Sequence, residues 1–359
     1  MLLRPALPGI NPHPRPLNAS LSEITRFTIR QTTTRPRTYT IAGITPIVRR
    51  MTTITLKSPP VEVTLPEGLT EEKLLAFAPF NNWLRTLTRS LSLQATQPAH
   101  PFHADPYALR SVAVQSYDLF GGSRVGFLKL RADVSNGAGE ALPGAVFLRG
   151  ASVAMLIMLI PEGGGNDNDN DNVPLASSAG VGGSAKVSRE EEERYVLLTV
   201  QPRVPAGSLS FVELPAGMVD EGGSDSSSHG AATFAGAAAR EIEEELGLTI
   251  STEQLTCLSS LAATPATAVE KEEDEGLPWA MYPSAGGCDE YVPIYMHERR
   301  VPRAQLAEWT GRLTGLREHG ERITLRLVPL RDLWREGARD AKCLAALALW
   351  EGLRREGKL

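Results

Sequence analysis

The chain lacks the features that would assign it to several broad classes of protein. No apolar run approaches the ~18–20 residues that a membrane helix needs, and Val153–Ile160 is short enough to be a buried strand. The cysteines show no CxxC or other zinc spacing, which argues against a zinc site or a disulfide framework. A net charge of −5 argues against a general nucleic-acid binder. With 359 residues, 42% of them hydrophobic, a soluble enzyme of one or two domains is expected.

Acidic residues are nearly absent from the N-terminal region. Between Met1 and Lys57 only Glu23 is acidic, whereas arginine, serine and threonine are frequent. This composition predicts an organellar transit peptide over residues 1–50, without the apolar core of a secretory signal. A basic nucleic-acid-binding arm is the alternative, although few aromatic residues are available to stack on bases. Met51 is a candidate second start, so plastid, mitochondrion and cytosol all stay open on composition alone.

Carboxylates are concentrated in the run Arg240–Leu248. On a helical period of 3.6 residues, Glu241, Glu244 and Glu245 stand at i, i+3 and i+4 and share one face. Like charges at this spacing repel, and a hard divalent cation such as Mg²⁺, which prefers oxygen ligands, would remove the repulsion. The alternative is a solvated acidic face, which is the commonest origin of a glutamate run.

The other residues of this run fit a helix that ends inside it. Ile242 and Leu246 are spaced to point together toward a core. Gly247 suits the left-handed conformation that often ends a helix. Arg240 lies one turn before Glu244 and is placed to hold part of the carboxylate cluster.

The same run, preceded by Leu214–Gly217, resembles the Nudix box, G-x5-E-x7-R-E-U-x-E-E-x-G-U with U apolar. The second half of the box matches at every defined position. The resemblance implies a hydrolase of nucleoside diphosphates linked to another group, built as an α/β/α sandwich around a mixed sheet. It also implies metal ligands and catalytic residues within the box. The ligands are the backbone carbonyl of Ala216 and the side chains of Glu241 and Glu245, and the catalytic residues are Glu244 and Arg240.

The first half of the box departs from the pattern. Gly217 and Arg240 are separated by about nine residues more than the box allows, and the extra residues correspond to Gly222–Gly230, a predicted flexible loop. Ala232 stands where the box has its first glutamate. That glutamate is therefore absent or replaced by an acidic residue of the loop, the candidates being Asp220, Glu221 and Asp225.

A second motif, Pro283–Glu290, resembles the S-x-G-G-x-x-E signature of ADP-ribose and ADP-sugar diphosphatases. Gly286 and Gly287 would let the backbone approach a substrate closely. By resemblance Glu290 is the general base or a metal ligand, with Asp289 as the second candidate. An ordinary glycine turn before a strand is the alternative.

The C-terminal part, with Gly315–Glu321 followed by Ile323–Pro329, resembles the plastidial ADP-sugar diphosphatases. This resemblance implies a homodimer that uses Mg²⁺, with Mn²⁺ as a substitute, to hydrolyse an ADP-sugar such as ADP-glucose. No nucleic-acid or membrane partner is expected. Two rivals stay open: hydrolysis of ADP-ribose or another nucleoside diphosphate derivative, and a non-catalytic nucleotide sensor. Arg203, in a stretch resembling the family's Q-x-R motif, is a candidate phosphate contact or a surface ion pair.

The expected domain order follows from composition and hydrophobic spacing. Residues 60–144 are predicted to hold a helix, Glu71–Ser92, and a small β domain, and residues 145–359 the Nudix domain. Short strands are predicted between Ser111 and Ile160. Residues 163–193 are too polar and glycine-rich to bury a core, and they are predicted to be a disordered insertion.

Overall fold

A computed structural model describes residues 51–162, 193–219, 231–263, 274–316 and 322–359. The predicted transit peptide, all of the predicted insertion except Glu193, and the loop candidates Asp220, Glu221 and Asp225 lie outside these ranges. Glu193 lies within them, and its carboxylate accepts hydrogen bonds from Tyr195 and Arg303, each at 2.5 Å. No helix in the described ranges is long and apolar enough to cross a membrane.

The first sheet contains five strands in the order β1-β2-β3-β4-β5. Their burial alternates as expected for a sheet with one solvated face: in β4, Leu128 and Leu130 are buried, whereas Lys129 and Arg131 are exposed. The strands are β1 (Thr52–Lys57), β2 (Pro60–Leu65), β3 (Ala108–Phe120), β4 (Arg124–Ser135) and β5 (Ala145–Leu148). The hairpin β1–β2 was not predicted, because its first strand falls in the stretch whose composition indicates a targeting segment.

Two helices, α1 (Glu71–Leu75) and α2 (Ala78–Thr96), cover this sheet. The prediction of one continuous helix over Glu71–Ser92 was therefore wrong. Phe77 has extended backbone angles, and Pro79 occupies the first turn of α2. A proline has no N–H to bond the carbonyl four residues earlier and clashes with that carbonyl, but it is tolerated in the first helical turn, so α1 cannot continue through Pro79 and a new helix begins at Ala78.

The second sheet is mixed, with the described strands in the order β10-β11-β6-β7-β13-β12. β9 pairs with β6, and β8 pairs with β7. Only the β6–β11 pair is parallel among these ladders. The strands are β6 (Ser152–Glu162), β7 (Tyr195–Arg203), β8 (Ser208–Glu213), β9 (Ala216–Met218), β10 (Thr256–Cys257), β11 (Ile294–Pro302), β12 (Leu313–Thr314) and β13 (Ile323–Pro329).

Helices cover both faces of the second sheet. Met155, Ile157 and Leu159 of β6 pack in one cluster with helices α3 and α5, whereas Leu156 and Met158 pack in another with α4, α6 and α7. The predicted α/β/α sandwich around a mixed sheet is thus confirmed. The helices are α3 (Ala231–Glu241), α4 (Leu258–Ala262), α5 (Arg303–Trp309), α6 (Leu333–Glu336) and α7 (Ala341–Arg355).

The two sheets are joined by a short connection. β5 ends at Leu148 and β6 begins at Ser152, so only Arg149–Ala151 lie between them. Ala145–Leu148, which the sequence analysis assigned to the Nudix domain, pairs with β4 of the first sheet. The change from one sheet to the other therefore occurs a few residues later than the predicted boundary at residue 145.

Candidate metal centre and active site

The carboxylate-rich run begins as the last turn of α3 and continues as a π-helical turn, Ile242–Leu246. Gly247 ends it in the left-handed conformation, with φ of 66°, as predicted. Ile242 and Leu246 are fully buried in the core, again as predicted. The π turn was not predicted, and such turns inside helices frequently occur at functional sites.

Glu245 is the most buried carboxylate of this run. Its Oε1 accepts a hydrogen bond from Nε2 of Gln201 at 3.2 Å, and its Oε2 accepts one from the backbone N–H of Ala216 at 3.1 Å. Burial raises the pKa of Glu245 to about 8, and the neighbouring charge of Glu241 adds to the rise. A cation at this position would favour the ionised carboxylate, because it would offset both effects.

Glu241 lies directly against Gly217 of β9. A Cβ atom added to Gly217 would stand 1.8 Å from Cδ of Glu241, so no residue with a side chain fits there without displacing the carboxylate. Glu241 is half-buried in this position. Steric exclusion therefore explains why this position of the box is a glycine, since glycine leaves room for the carboxylate against the backbone.

The backbone carbonyl of Ala216 lies on the same side of β9 as Glu245. Pro215 and Val219 make the backbone hydrogen bonds to the β6 side, each at 3.0 Å. In an antiparallel ladder only every second residue bonds the partner strand, so both polar groups of Ala216 point away from β6. Its N–H meets Glu245. Its carbonyl faces the same way and is available as a ligand.

Glu244 and Arg240 are both exposed. Among the three glutamates expected to share one face, Glu244 is thus more exposed than Glu241 and Glu245. That the three share a face stays a prediction. Ala232, at the position of the first box glutamate, is exposed on α3.

The Pro283–Glu290 loop is attached to the first sheet. The N–H of Phe147 in β5 donates to the carbonyl of Gly287 at 2.8 Å, and the N–H of Asp289 donates back to Phe147 at 3.3 Å. A Cβ atom on Gly286 or Gly287 would have no atom of the described residues within 4 Å. Both glycines therefore border open space, which is compatible with a nearby ligand.

Glu290 is held by a cation and a hydroxyl. Its Oε1 accepts a hydrogen bond from Oγ of Ser152 at 2.7 Å and lies 3.3 Å from Nη1 of Arg149. Asp289, the second candidate for the base, accepts hydrogen bonds from the backbone N–H groups of Arg149 and Gly150, the shortest at 2.8 Å. Asp289 thus fixes the short connection between the sheets, and its position favours a structural role over a catalytic one.

The beginning of β6 brings the two motifs together. Ser152, which donates to Glu290, pairs with Met218, and the next residue, Val153, pairs with Gly217. On its other side, the N–H of Ser152 donates to the carbonyl of Tyr291 at 3.1 Å. The box and the signature loop, distant in the sequence, therefore meet across a single strand.

Arg203 makes an ion pair with the buried carboxylate of Glu213, with Nε 2.6 Å from Oε1. The other oxygen of Glu213 lies 2.9 Å from Nζ of Lys342, which also pairs with Asp340 at 2.9 Å. The sequence analysis allowed a surface ion pair for Arg203, and the ion pair observed is with a buried carboxylate. A contact with substrate phosphate stays a prediction.

Sequence reasoning missed Ser152, Arg149 and Gln201 as partners of the candidate carboxylates. Gln201 stands in the Q-x-R stretch, where attention went to the arginine two positions later. Ser152 and Arg149 carry no local signal, because their partner Glu290 is distant in the sequence and only the fold brings them to it.

The donor set suits a hard divalent cation. No group of three or more His, Cys, Asp or Glu side chains within the described ranges is assembled to hold a metal. Mg²⁺, however, needs only one or two carboxylates, with waters and substrate oxygens completing its shell. Two carboxylates, beside a backbone carbonyl that points away from β6, are compatible with that requirement.

Comparison with known proteins identifies the family of this chain. The NUDIX domain family model matches residues 183–347. The chain is 35% identical over 279 residues to Nudix hydrolase 14, chloroplastic, from Arabidopsis thaliana, which covers 77% of this chain and 71% of that relative. The chain therefore belongs to the Nudix hydrolase family, whose members generally use divalent metal ions. A crystal structure described as an ADP compounds hydrolase aligns with 70% of this chain and 99% of its own, at 16% identity and a TM-score of 0.34.

Proposed function

We propose that this protein is a Mg²⁺-dependent diphosphatase of ADP-sugars that hydrolyses ADP-glucose to AMP and glucose 1-phosphate. The observation that carries the proposal is the pair Glu241 and Glu245 placed beside Ala216 and Gly217, next to the strand that also anchors Glu290. A buried carboxylate with a raised pKa needs a cation to ionise fully, and a diphosphate substrate needs the same cation.

Three residues would hold the metal: Ala216 through its carbonyl, and Glu241 and Glu245 through their carboxylates. When bound, Mg²⁺ would offset charge on the phosphoryl oxygens and make a water molecule more acidic. Mn²⁺ has similar oxygen preferences and is the expected substitute.

Glu290 is the proposed general base. It would take a proton from the attacking water, while Ser152 and Arg149 hold its carboxylate in one orientation. The oxygen of this water would then bond to one phosphorus, and the bond from that phosphorus to the bridging oxygen would break. The products are two monophosphates, AMP and glucose 1-phosphate. Arg240 and Glu244, both exposed near the end of α3, are proposed as supporting catalytic groups.

Substrate contacts are proposed at three further positions. Gly286 and Gly287 offer open backbone beside Glu290. Arg203 is paired with Glu213, so its guanidinium would have to contact the phosphate and that carboxylate at the same time.

A plastid location and a homodimeric state belong to the same proposal. The basic, serine- and threonine-rich N-terminus and the word chloroplastic in the name of the Arabidopsis relative support the location. Import into isolated chloroplasts tests the location. Light scattering tests the oligomeric state, and a monomer at micromolar concentration would contradict the dimer.

The decisive experiment is a substrate panel. ADP-glucose, ADP-ribose, UDP-glucose and GDP-mannose are incubated with the protein and Mg²⁺, and release of the nucleoside monophosphate is measured. ADP-glucose should be cleaved with the highest kcat/KM, and EDTA should stop the reaction. Preference for ADP-ribose would instead identify the protein as a hydrolase of ADP-ribose. Tight binding of ADP-glucose without any release of AMP would identify a sensor instead of an enzyme.

A further inference from the structure

A cavity of about 430 Å³ lies between α2 and the segment 275–282. This volume falls within the ~300–1,000 Å³ typical of small-molecule sites. Three aromatic side chains line it, those of Trp83, Tyr282 and Tyr291, and all three are half-buried. Polar groups from Thr86 and Glu275 are also in its wall. An apolar, aromatic cavity with a few polar groups is the usual environment for a flat heterocycle.

The cavity extends to the groups that hold the proposed catalytic base. Gly150 and Asp289 form part of its wall. Each is the immediate neighbour of a functional residue, Gly150 of Arg149 and Asp289 of Glu290, and those two side chains are 3.3 Å apart. A substrate whose diphosphate lies at Glu290 therefore has this cavity directly beside its phosphates.

The outer wall of the cavity is fixed to α2 by hydrogen bonds. Nε of Arg89 donates to the carbonyl of Asp274 at 2.7 Å, and Oγ of Ser90 donates to Oε1 of Glu275 at 2.5 Å. Gly276 lies beside the side chain of Arg89. Its φ is +79°, a conformation that favours glycine. These contacts shape the cavity before any ligand binds.

We infer that this cavity is the nucleobase site and that α2 of the first domain supplies one side of it. The inference rests on the proposed function for the position of the diphosphate. Stacking on aromatic side chains is available to the flat face of a purine, and the edge of the base can bond to polar groups such as Thr86 and Glu275. The sugar of the substrate would then lie on the opposite side of the diphosphate, away from Trp83.

Filling the cavity tests the inference. Thr86→Phe places a ring in the cavity, whereas Ala95→Phe places the same ring on an exposed part of α2 that does not line it. Binding of AMP and of glucose 1-phosphate is measured by calorimetry for the full chain, wild type and variants. Thr86→Phe should weaken AMP binding about tenfold or more and leave glucose 1-phosphate unchanged, and Ala95→Phe should bind both like the wild type.

Tyr282→Leu is the second variant, and it decides the question if Thr86→Phe does not fold by circular dichroism. It removes a stacking surface without filling space and should also weaken AMP binding selectively. Unchanged AMP binding in the folded variants would overturn the inference, as would a selective loss of glucose 1-phosphate binding.

Failure of the proposed function is a separate outcome. A wild-type protein that cleaves no substrate of the panel but binds AMP in a way that depends on Thr86 would refute the ADP-sugar activity and leave the nucleobase site standing. Active wild type with cavity-independent AMP binding would refute only the nucleobase site.

Discussion

The two carboxylates at the centre of the proposed site, Glu245 and Glu290, are stabilised in different ways. Within the described ranges, Glu245 is buried and its hydrogen-bond partners are the neutral groups of Gln201 and Ala216. Glu290 has the cation of Arg149 beside it. A buried carboxylate without a cation beside it is costly to ionise. The difference supports the proposal that Glu245 receives a metal and that Glu290, fixed by Arg149 and Ser152, acts as the base.

The largest loss of activity is expected when the carboxylates of the proposed metal site are changed. Glu245→Gln and Glu241→Gln each remove one negative charge from the metal site. Because a bound metal contributes several kcal/mol to stabilising the transition state, each change should lower kcat/KM by about 10⁴-fold.

The matched control is Glu243→Gln, on an exposed residue of the same π turn. It should keep wild-type activity. Near wild-type rates in Glu245→Gln at saturating Mg²⁺ would remove Glu245 from the site.

Changing Glu290, in the Pro283–Glu290 loop, should lower activity in a different way. Glu290→Gln keeps the shape of the side chain and leaves the metal ligands in place, so kcat should fall by about 10²- to 10⁴-fold with little change in the Mg²⁺ requirement. Rates are measured across a range of Mg²⁺ concentrations.

Glu298→Gln, on an exposed residue of β11, serves as the control and should be silent. Recovery of the Glu290→Gln rate at high Mg²⁺ would show that Glu290 is a metal ligand, and the contrast between the two carboxylates would disappear.

A smaller effect is expected from Gly217→Ala. The added methyl group would overlap the carboxylate of Glu241 and displace it. Since a shift of about 1 Å in a catalytic group can cost up to ~10²-fold in rate, a loss of that order or less is expected, with the apparent Mg²⁺ affinity weakened.

Gly236→Ala is the control, because a Cβ atom there meets no atom within 4 Å in the part of the chain that the structure describes. An alanine should be tolerated in α3 and is a better helix former than glycine. Full activity of Gly217→Ala would show that Glu241 is not fixed against β9.

The smallest effect concerns stability and pH in the metal-free protein. Burial raises the pKa of Glu245 to about 8, above its value of about 4.5 in the unfolded chain. Between these values the folded protein keeps a proton that the unfolded chain has released, so stability should fall as pH rises. In EDTA, Tm should drop by a few °C more between pH 5 and 8 in wild type than in Glu245→Gln. Parallel Tm curves for the two proteins would contradict this prediction.

Local signals predicted much of the site. The spacing of Ile242 and Leu246 and the glycine at position 247 gave the helix, its buried face and its end, because these depend only on neighbouring residues. The apolar run of β6 likewise predicted a buried strand, since a strand buried on both faces must be apolar throughout.

The remaining features depend on tertiary contacts or on departures from ideal geometry. The π turn that contains Glu244 breaks the 3.6-residue period on which the sequence argument relied. The partners of Glu290 could not be found from the sequence, because nothing near Ser152 or Arg149 indicates that a distant loop will fold onto them. The break before α2 did have a signal, Pro79, which cannot continue a helix that begins upstream and was overlooked.

The three-residue connection Arg149–Ala151 limits how modular this protein can be. Recombination at a domain boundary usually exchanges a module without touching the chemistry of its neighbour. Here a crossover at Gly150 would take Arg149 from one parent and Ser152 from the other, although both hold Glu290. Chimeras between relatives should therefore remain active only when the first sheet, the connection and the signature loop are inherited together.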